Sequence, residues 1–333
     1  MRIVLTGATG FIGRRLAARL LDSGHSVVAL VRREGADLPA GIEPRVGALS
    51  DQDFLRRSLA DAEAVCHVAG EVKSFTERGF LAVNEGLTAA LAEGVRRFAP
   101  AGAPLLYVSS QAAGGPCASP PGLREADQPA PVSHYGFSKL LGERAALALA
   151  GERPVALCRP AMVYGPGDWA FVPLYNFMAR GVLPALGPSG QRFSIVHVDD
   201  LVEGLALALE SLTTGHLSRG WQGGVLHFAG PGEYTWEDYA AVFGAALERR
   251  VRTFHVPGWA LLVAALSNSA SAGLGLPTIH LTLDKRREAM AEGWLLDCTR
   301  TRRLLGWTHR NELEQGARET LAWCRARGLL PSK

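Results

Sequence analysis

The chain has 333 residues, 47% hydrophobic and 20% charged, with a formal net charge of +3, enough to bury a full core as one large domain or a domain with a lobe. It has no long Lys/Arg run and no basic–aromatic alternation, so nucleic acid is not an expected partner. Cys66, Cys117, Cys158, Cys298 and Cys324 lack C-x-x-C spacing and the histidines form no H-E-x-x-H, which argues against a disulfide framework and a metal site.

Met1 leads directly into an apolar run over residues 2–6, a predicted strand with no signal-like segment before it, so the expected location is cytoplasmic. Thr6-Gly7-Ala8-Thr9-Gly10-Phe11-Ile12-Gly13 follows, then an amphipathic stretch over 14–23 that predicts a helix. Strand, glycine turn and helix in this order suit a pyrophosphate. The backbone must turn tightly, and the helix N-terminus offers an anion free N–H groups and the positive end of the dipole. The spacing G-x-x-G-x-x-G is a variant of the dinucleotide fingerprint. A second strand over 26–31 ends in Arg32-Arg33, where an acid would hold the ribose 2′-hydroxyl of NAD. Two guanidiniums there suit a 2′-phosphate, so the expected cofactor is NADP(H) rather than NAD(H).

The alternation continues with a strand over 44–47, a helix over 51–59, a strand over 64–69, a helix over 80–98 and a strand over 105–108. That rhythm predicts right-handed βαβ units: an α/β fold with a doubly wound parallel sheet. Residues 114–131, rich in Gly, Pro, Ala and Ser, read as a long loop or lid. A helix runs from about Tyr135 to 150, and a sixth strand spans 155–158. Tyr135 and Lys139, four apart, leave one helix face a turn from each other. A lysine so placed stabilises a phenolate and pulls its pKa down from roughly 10, making the tyrosine a usable proton donor or acceptor.

From about 160 onward proline and glycine become frequent and the elements shorten. The expected division is a dinucleotide-binding domain over 1–160 and a mainly substrate-binding lobe over 161–330, with segments near 194–212 and 224–229 returning to the main domain. Helices are expected over 199–210, 236–248 and 313–327, with Asp199, Thr235 and Asp297 or Thr299 as candidate N-caps. The apolar segment 259–266 is far short of the roughly 20 residues a spanning helix needs, and reads as a buried or pocket-lining helix.

Beyond the glycine turn, six further stretches carry a resemblance: His67-Val68-Ala69-Gly70, Asn84 with Thr88, Val108-Ser109-Ser110, His134-Tyr135-Gly136-Phe137-Ser138-Lys139, Arg159-Pro160-Ala161-Met162-Val163-Tyr164-Gly165-Pro166-Gly167 and His197-Val198-Asp199-Asp200-Leu201. Over nearly its whole length the chain resembles the extended short-chain dehydrogenases/reductases, the epimerase/dehydratase superfamily. The resemblance implies a Rossmann-type domain, a nicotinamide cofactor and a Ser110–Tyr135–Lys139 catalytic set, with Ser109 structural. It also implies cofactor contacts from Gly7, Thr9, Gly10, Phe11, Ile12, Gly13, Arg32, Arg33 and Leu49. Further contacts would come from Val68, Ala69, Gly70, Val108, Tyr135, Lys139, Pro160, Ala161, Met162 and Val163. A homodimer through the helices around Asn84 and Tyr135 is the family expectation. Two departures stand out. Gly47-Ala48-Leu49 replaces a Gly-Asp-Leu whose acid would reach adenine, and Leu87 stands where glycine is usual.

The reaction is read from the residues around this set, because fold does not imply function. A dehydratase of this pattern needs an acid pair after the catalytic hydroxyl; here Gln111-Ala112 follows Ser110. Epimerases of nucleotide sugars carry an asparagine and an arginine for the diphosphate, where this chain has Met162 and Phe193. The favoured reading is an NADPH-dependent ketoreductase resembling the 3β-hydroxysteroid dehydrogenase and dihydroflavonol reductase branch, and similar to 2-alkyl-3-oxoalkanoate reductases. Its substrate would be a small, largely apolar ketone or alcohol. Expected substrate contacts are Gln111, His134, Met162, Trp169, Phe171 and Phe193, with Tyr175, Trp259 and Leu262 as further wall candidates. A nucleotide-sugar epimerase and a non-catalytic NADP(H)-binding protein are the alternatives.

Overall fold

The computed structural model describes residues 1–217, 224–273 and 282–331. Along the first strand, β1 (Arg2–Thr6), Ile3 and Leu5 enter one core and Val4 the other, all with 0% exposure. A strand apolar on both faces belongs inside a sheet covered by helices on both sides. The further strands are β2 (Ser26–Val31), β3 (Glu43–Val46), β4 (Ala64–His67), β5 (Leu105–Val108), β6 (Val155–Pro160) and β7 (Gly224–Phe228). They pair in the order β7-β6-β5-β4-β1-β2-β3, all parallel, with Thr6 opposite both Leu30 and His67. This is the Rossmann-type doubly wound sheet expected from the sequence. Strand order reverses between β1 and β4, which opens a crevice at their carboxyl ends.

One face carries the helices Phe11–Asp22 and Val198–Thr213, packed through Leu16, Leu20, Leu201 and Leu205 and joined by Arg19–Glu203 at 2.7 Å and Arg15–Asp199 at 2.6 Å. The other carries Gln52–Leu59, Thr88–Phe98 and His134–Leu147, through residues such as Phe54, Leu91, Val95 and Ala146. A third core gathers Tyr175, Phe193, Tyr239, Phe243 and Leu321 from the short strands and helices after residue 160.

Several expectations are corrected. Gly224–Phe228 joins the sheet beside β6, but Ile195–His197 pairs with Met162–Tyr164 outside it. The chain leaves the sheet after Pro160, and the two segments satisfy each other's backbone groups. Asp199 does not cap its helix. The N-cap is His197, whose ring accepts from Asp199 N–H at 3.3 Å, while the Asp199 carboxylate serves Arg15. Thr235 does cap Trp236–Ala246, in a reciprocal box with Asp238. The helix expected over 80–98 is three pieces, Glu77–Leu81, a π-helical turn Ala82–Leu87 and Thr88–Phe98. Segment 114–131 is no free lid. Cys117 and Leu123 N–H groups donate to the Gly293 and Leu295 carbonyls, both at 2.9 Å, lacing the loop to the C-terminal region.

Candidate active site

The glycine turn follows from steric necessity. Gly7 sits at φ +75°, and a Cβ there would lie 2.6 Å from the Ala69 nitrogen; a Cβ on Gly13 would lie 2.1 Å from the Gly7 carbonyl oxygen. Gly10 caps the helix Phe11–Asp22 without a side-chain hydrogen bond, so its first N–H groups stay open to an anion. Thr9 and Gly10 are exposed; Phe11 and Ile12 are half-buried. Thr6 bridges this turn to the next, its hydroxyl lying 2.6 Å from His67 Nδ1 and accepting from Ala69 N–H at 3.2 Å. Burial holds the His67 ring down to about 3, so it is neutral, and Val68, Ala69 and Gly70 border the crevice. Arg32 and Arg33 are exposed at the end of β2, and Arg33, Pro44 and Val46 line a cleft of about 290 Å³ between the ends of β2 and β3. Leu49 is half-buried beyond β3. A dinucleotide fits this backbone cradle, with the turn on its phosphates and the arginines at its adenosine end.

At the end of β5, Val108 leads into Ser109 and Ser110. Ser110 caps the short turn Gln111–Gly114, accepting from Ala112 N–H at 3.2 Å, and its hydroxyl favours the Tyr135 phenolate. Ser109 turns away and donates to the buried Glu143 at 2.6 Å, and Glu143 receives the Arg159 guanidinium through two bonds of 2.6 and 2.7 Å. Lys139 is buried one turn beyond Tyr135, donates to the Val108 carbonyl at 2.7 Å and would lie 3.3 Å from a Cβ on Gly70. Its pKa is lowered by burial to about 7, with Glu143 opposing. Asn84, in the π-helical turn, donates to Ser138 at 2.9 Å and accepts from Glu71 N–H at 2.8 Å, clamping the helix His134–Leu147 to the loop after β4. Pro160 ends β6, and Ala161 N–H donates to Phe228. Met162 and Val163 follow, half-buried.

Tyr135 differs from expectation. Its phenol is held above the ordinary value because burial outweighs the opposing Lys285 charge and Ser110 hydrogen bond. Lys285 escaped sequence reasoning altogether. It lies 5.1 Å from the Tyr135 ring centroid, and the Phe80 ring lies 5.8 Å from the same tyrosine. Its helix, Leu283–Ala289, is fastened to the start of the helix His134–Leu147. Asp284 accepts from the N–H groups of His134 at 2.5 Å and Tyr135 at 3.1 Å, and Ser133 donates to Glu288 at 2.6 Å. No sequence signal relates residues 150 apart. Lys285→Met is expected to raise the phenol's titration further, because only the charged phenolate gains from the cation. The rising limb of alcohol oxidation against pH should move to higher pH and return with Lys285→Arg; an unmoved limb would remove Lys285 from the chemistry.

The expected substrate residues separate. Gln111 is buried with its Nε2 unpartnered, and His134 is half-exposed, 3.4 Å from Glu77. Phe193 is 4% exposed and packs in the third core against Trp236 at 4.8 Å, so it is core and not pocket wall. Phe171 and Tyr175 belong to the same core. Trp169 meets Trp323 of the last helix edge-on at 5.2 Å, and Trp259 is 71% exposed. Strand alternation sends Arg192 the other way from Phe193, where it pairs with Glu233. Asp168 is buried, with one oxygen accepting from Ala170 N–H at 2.9 Å and the other unpartnered. Burial raises its pKa to about 6 from 3.8. The folded state therefore binds this proton more tightly, and stability falls as pH rises from about 4 to 6, by about 3 kcal/mol in total. Asp168→Asn should flatten this part of the pH–stability curve from chemical denaturation; an unchanged curve would contradict it.

A model of the NAD dependent epimerase/dehydratase family matches residues 3–220. A ceramide reductase of Caulobacter vibrioides is 31% identical over 99% of this chain and 96% of its own length. A 2-alkyl-3-oxoalkanoate reductase of Stenotrophomonas maltophilia is 28% identical over 65% of this chain and 67% of its own. MoeE5, solved with UDP-glucuronic acid and NAD, superposes with a TM-score of 0.74 at 23% identity, covering 98% of this chain and 100% of its own. The last likeness shows the fold; the family model, together with the relatives, places this chain among the extended short-chain dehydrogenases/reductases of the NAD-dependent epimerase/dehydratase family, as an NAD(P)-dependent oxidoreductase.

Proposed function

We propose that the chain is an NADPH-dependent reductase/dehydrogenase that interconverts a ketone and a secondary alcohol on a largely apolar substrate. The observation that carries this reading is the gathering of Ser110, just after β5, with Tyr135, whose phenolate it favours, and Lys139, buried one turn on and donating to the Val108 carbonyl. When bound, the nicotinamide supplies or accepts the hydride. Tyr135 gives its phenolic proton to the carbonyl oxygen as the alcohol forms, and takes it back in the reverse direction. The Ser110 hydroxyl donates to the same oxygen, orienting it and stabilising the charge that develops there. Lys139, fixed by the Val108 carbonyl, keeps its remaining donors for a ribose hydroxyl. Arg32 and Arg33 would take a 2′-phosphate.

A ketone is favoured over a nucleotide sugar for two reasons. Arg192 is committed to Glu233, which leaves Met162 and Val163 on the edge where a diphosphate would need a cation. The two relatives quoted above are both named as reductases. The test is consumption of NADPH, and of NADH in parallel, over β-oxoacyl compounds, aryl ketones and ketosteroids, beside a UDP-sugar incubation. NADPH oxidation with one apolar class is the expected result. Interconversion of a UDP-sugar with no ketone reduced would make the protein an epimerase, and preference for NADH would overturn the role given to Arg32 and Arg33.

A further inference from the structure

Tyr135 is held by its backbone from two directions. Its N–H donates to Asp284 Oδ2 at 3.1 Å, and its carbonyl accepts from the Ser138 hydroxyl at 2.7 Å, which in turn receives the Asn84 amide at 2.9 Å. The other Asp284 oxygen takes the neighbouring His134 N–H at 2.5 Å, from 150 residues away along the chain. One buried carboxylate thus bridges two successive N–H groups at the positive end of a helix dipole, where its bonds are charge-assisted. The helix His134–Leu147 does not need this carboxylate to begin. Ser133 already caps it, accepting from Gly136 N–H at 2.9 Å, and the other first-turn N–H groups of a helix are commonly left to water. What the second cap adds is a fixed place for the residue that carries the phenol.

The far end of the helix Leu283–Ala289 is gripped from the third core. The Trp294 indole donates to the Glu288 carbonyl at 3.0 Å, and the Gln191 amide donates to the Ala289 and Ala291 carbonyls at 2.9 and 2.6 Å. Gln191 is itself buried and accepts from the Trp236 indole at 3.1 Å; Trp236 and Trp294 both pack against the third core. Between the two ends, the Glu288 carboxylate takes Ser133 on one oxygen and Lys285 on the other, at 2.6 and 2.7 Å. We propose that Asp284 is a positioning residue for the reaction: it sets the place of the Tyr135 phenol in the site, from a helix whose other end the third core holds. The inference rests on the reductase reading for the phenol's task as proton donor. Misplacing a reacting group by about 1 Å costs on the order of 100-fold in rate, so a cap remote from the hydroxyl can carry a large kinetic effect.

The experiment is a double-mutant cycle of Asp284→Ala with Tyr135→Phe in the full chain, using the ketone of the panel above that the wild type reduces fastest. Asp284→Ala should lower kcat roughly 10- to 100-fold with KM and NADPH affinity nearly unchanged. In Tyr135→Phe, which has no phenolic proton to place, the same substitution should cost less than about twofold. A merely structural cap would cost the same in both backgrounds. The second readout needs no substrate: ultraviolet difference titration of the Tyr135 phenol, each protein against its Tyr135→Phe counterpart. Lys285 and Glu288 face the phenol from this helix, Ser110 and Tyr107 from β5 and the turn after it, uncharged Phe80 from Glu77–Leu81, and Lys139 lies one turn on; the substitution alters none of them. Asp284→Ala should bring the phenol down toward its ordinary value of roughly 10, because a loosened ring is less buried. Asp284→Asn removes the same charge but keeps one acceptor, so it should shift the titration less and retain more turnover. Should Asp284→Ala not fold, Asp284→Asn carries the cycle with a smaller loss. An equal loss in both backgrounds, no loss, or equal titration shifts in the two Asp284 variants would overturn the proposal. If the wild type reduces no ketone, the reductase reading fails and the titration alone decides this one.

Discussion

Replacing Tyr135 with phenylalanine is expected to lower turnover by about 10²- to 10⁴-fold and to leave NADPH affinity nearly unchanged. The side chain is half-buried, its ring has Phe80 at 5.8 Å and the Lys285 ammonium at 5.1 Å, and Ser110 favours its phenolate. A phenylalanine occupies the same space, so the variant removes a proton and one hydrogen bond without opening a cavity. The glycine turn, Arg32 and Arg33 are elsewhere in the crevice, and the helix N-terminus that would hold phosphate is unaffected. Steady-state rates and NADPH titration followed by fluorescence separate the two effects. Unchanged turnover would sink the mechanism. Loss of NADPH binding together with turnover would show that the phenol serves the cofactor more than the carbonyl.

Arg159→Met is expected to destabilise the fold by roughly 3–5 kcal/mol, the largest stability effect anticipated for one substitution here. The Arg159 and Glu143 side chains are 2% and 3% exposed, and the guanidinium fills both carboxylate oxygens. Methionine in its place leaves a buried carboxylate with one hydrogen bond, from Ser109, and no bidentate partner. The same carboxylate opposes the burial that lowers the Lys139 pKa, so the ion pair is coupled electrostatically to Lys139. Urea unfolding measures the loss. Pairing Arg159→Met with Glu143→Met should recover much of it, since an apolar pair of similar volume needs no compensation. A single-variant loss below about 1 kcal/mol, as for an exposed pair, would show that water reaches the site.

The parts of the molecule that were legible beforehand depend on short-range chemistry. Residues 2–13 dictate strand, tight turn and open helix N-terminus, because a Cβ at Gly7 or Gly13 would collide with nearby backbone. Tyr135 and Lys139 share a helix face by spacing alone, and the alternation of apolar runs with amphipathic ones yields the parallel sheet. The aromatic residues after 160 were less legible. Phe193 and Phe171 went into a core because strand and helix pairings far along the chain surround them, while Trp169 was taken up by Trp323.

By itself, then, the amino-acid sequence determined the family, the glycine turn and the shared helix face of Tyr135 and Lys139, since each rests on contacts within a few residues or on a fold that local patterning already implies. Only the tertiary structure decided that Lys285 and Asp284 reach the helix His134–Leu147, that Arg159 pairs with Glu143 of that helix, and that Trp259, Leu262, Val263 and Leu266 face outward. Those outcomes depend on which distant segments fill the space beside each residue, and periodicity along a chain records which faces are apolar but not what covers them.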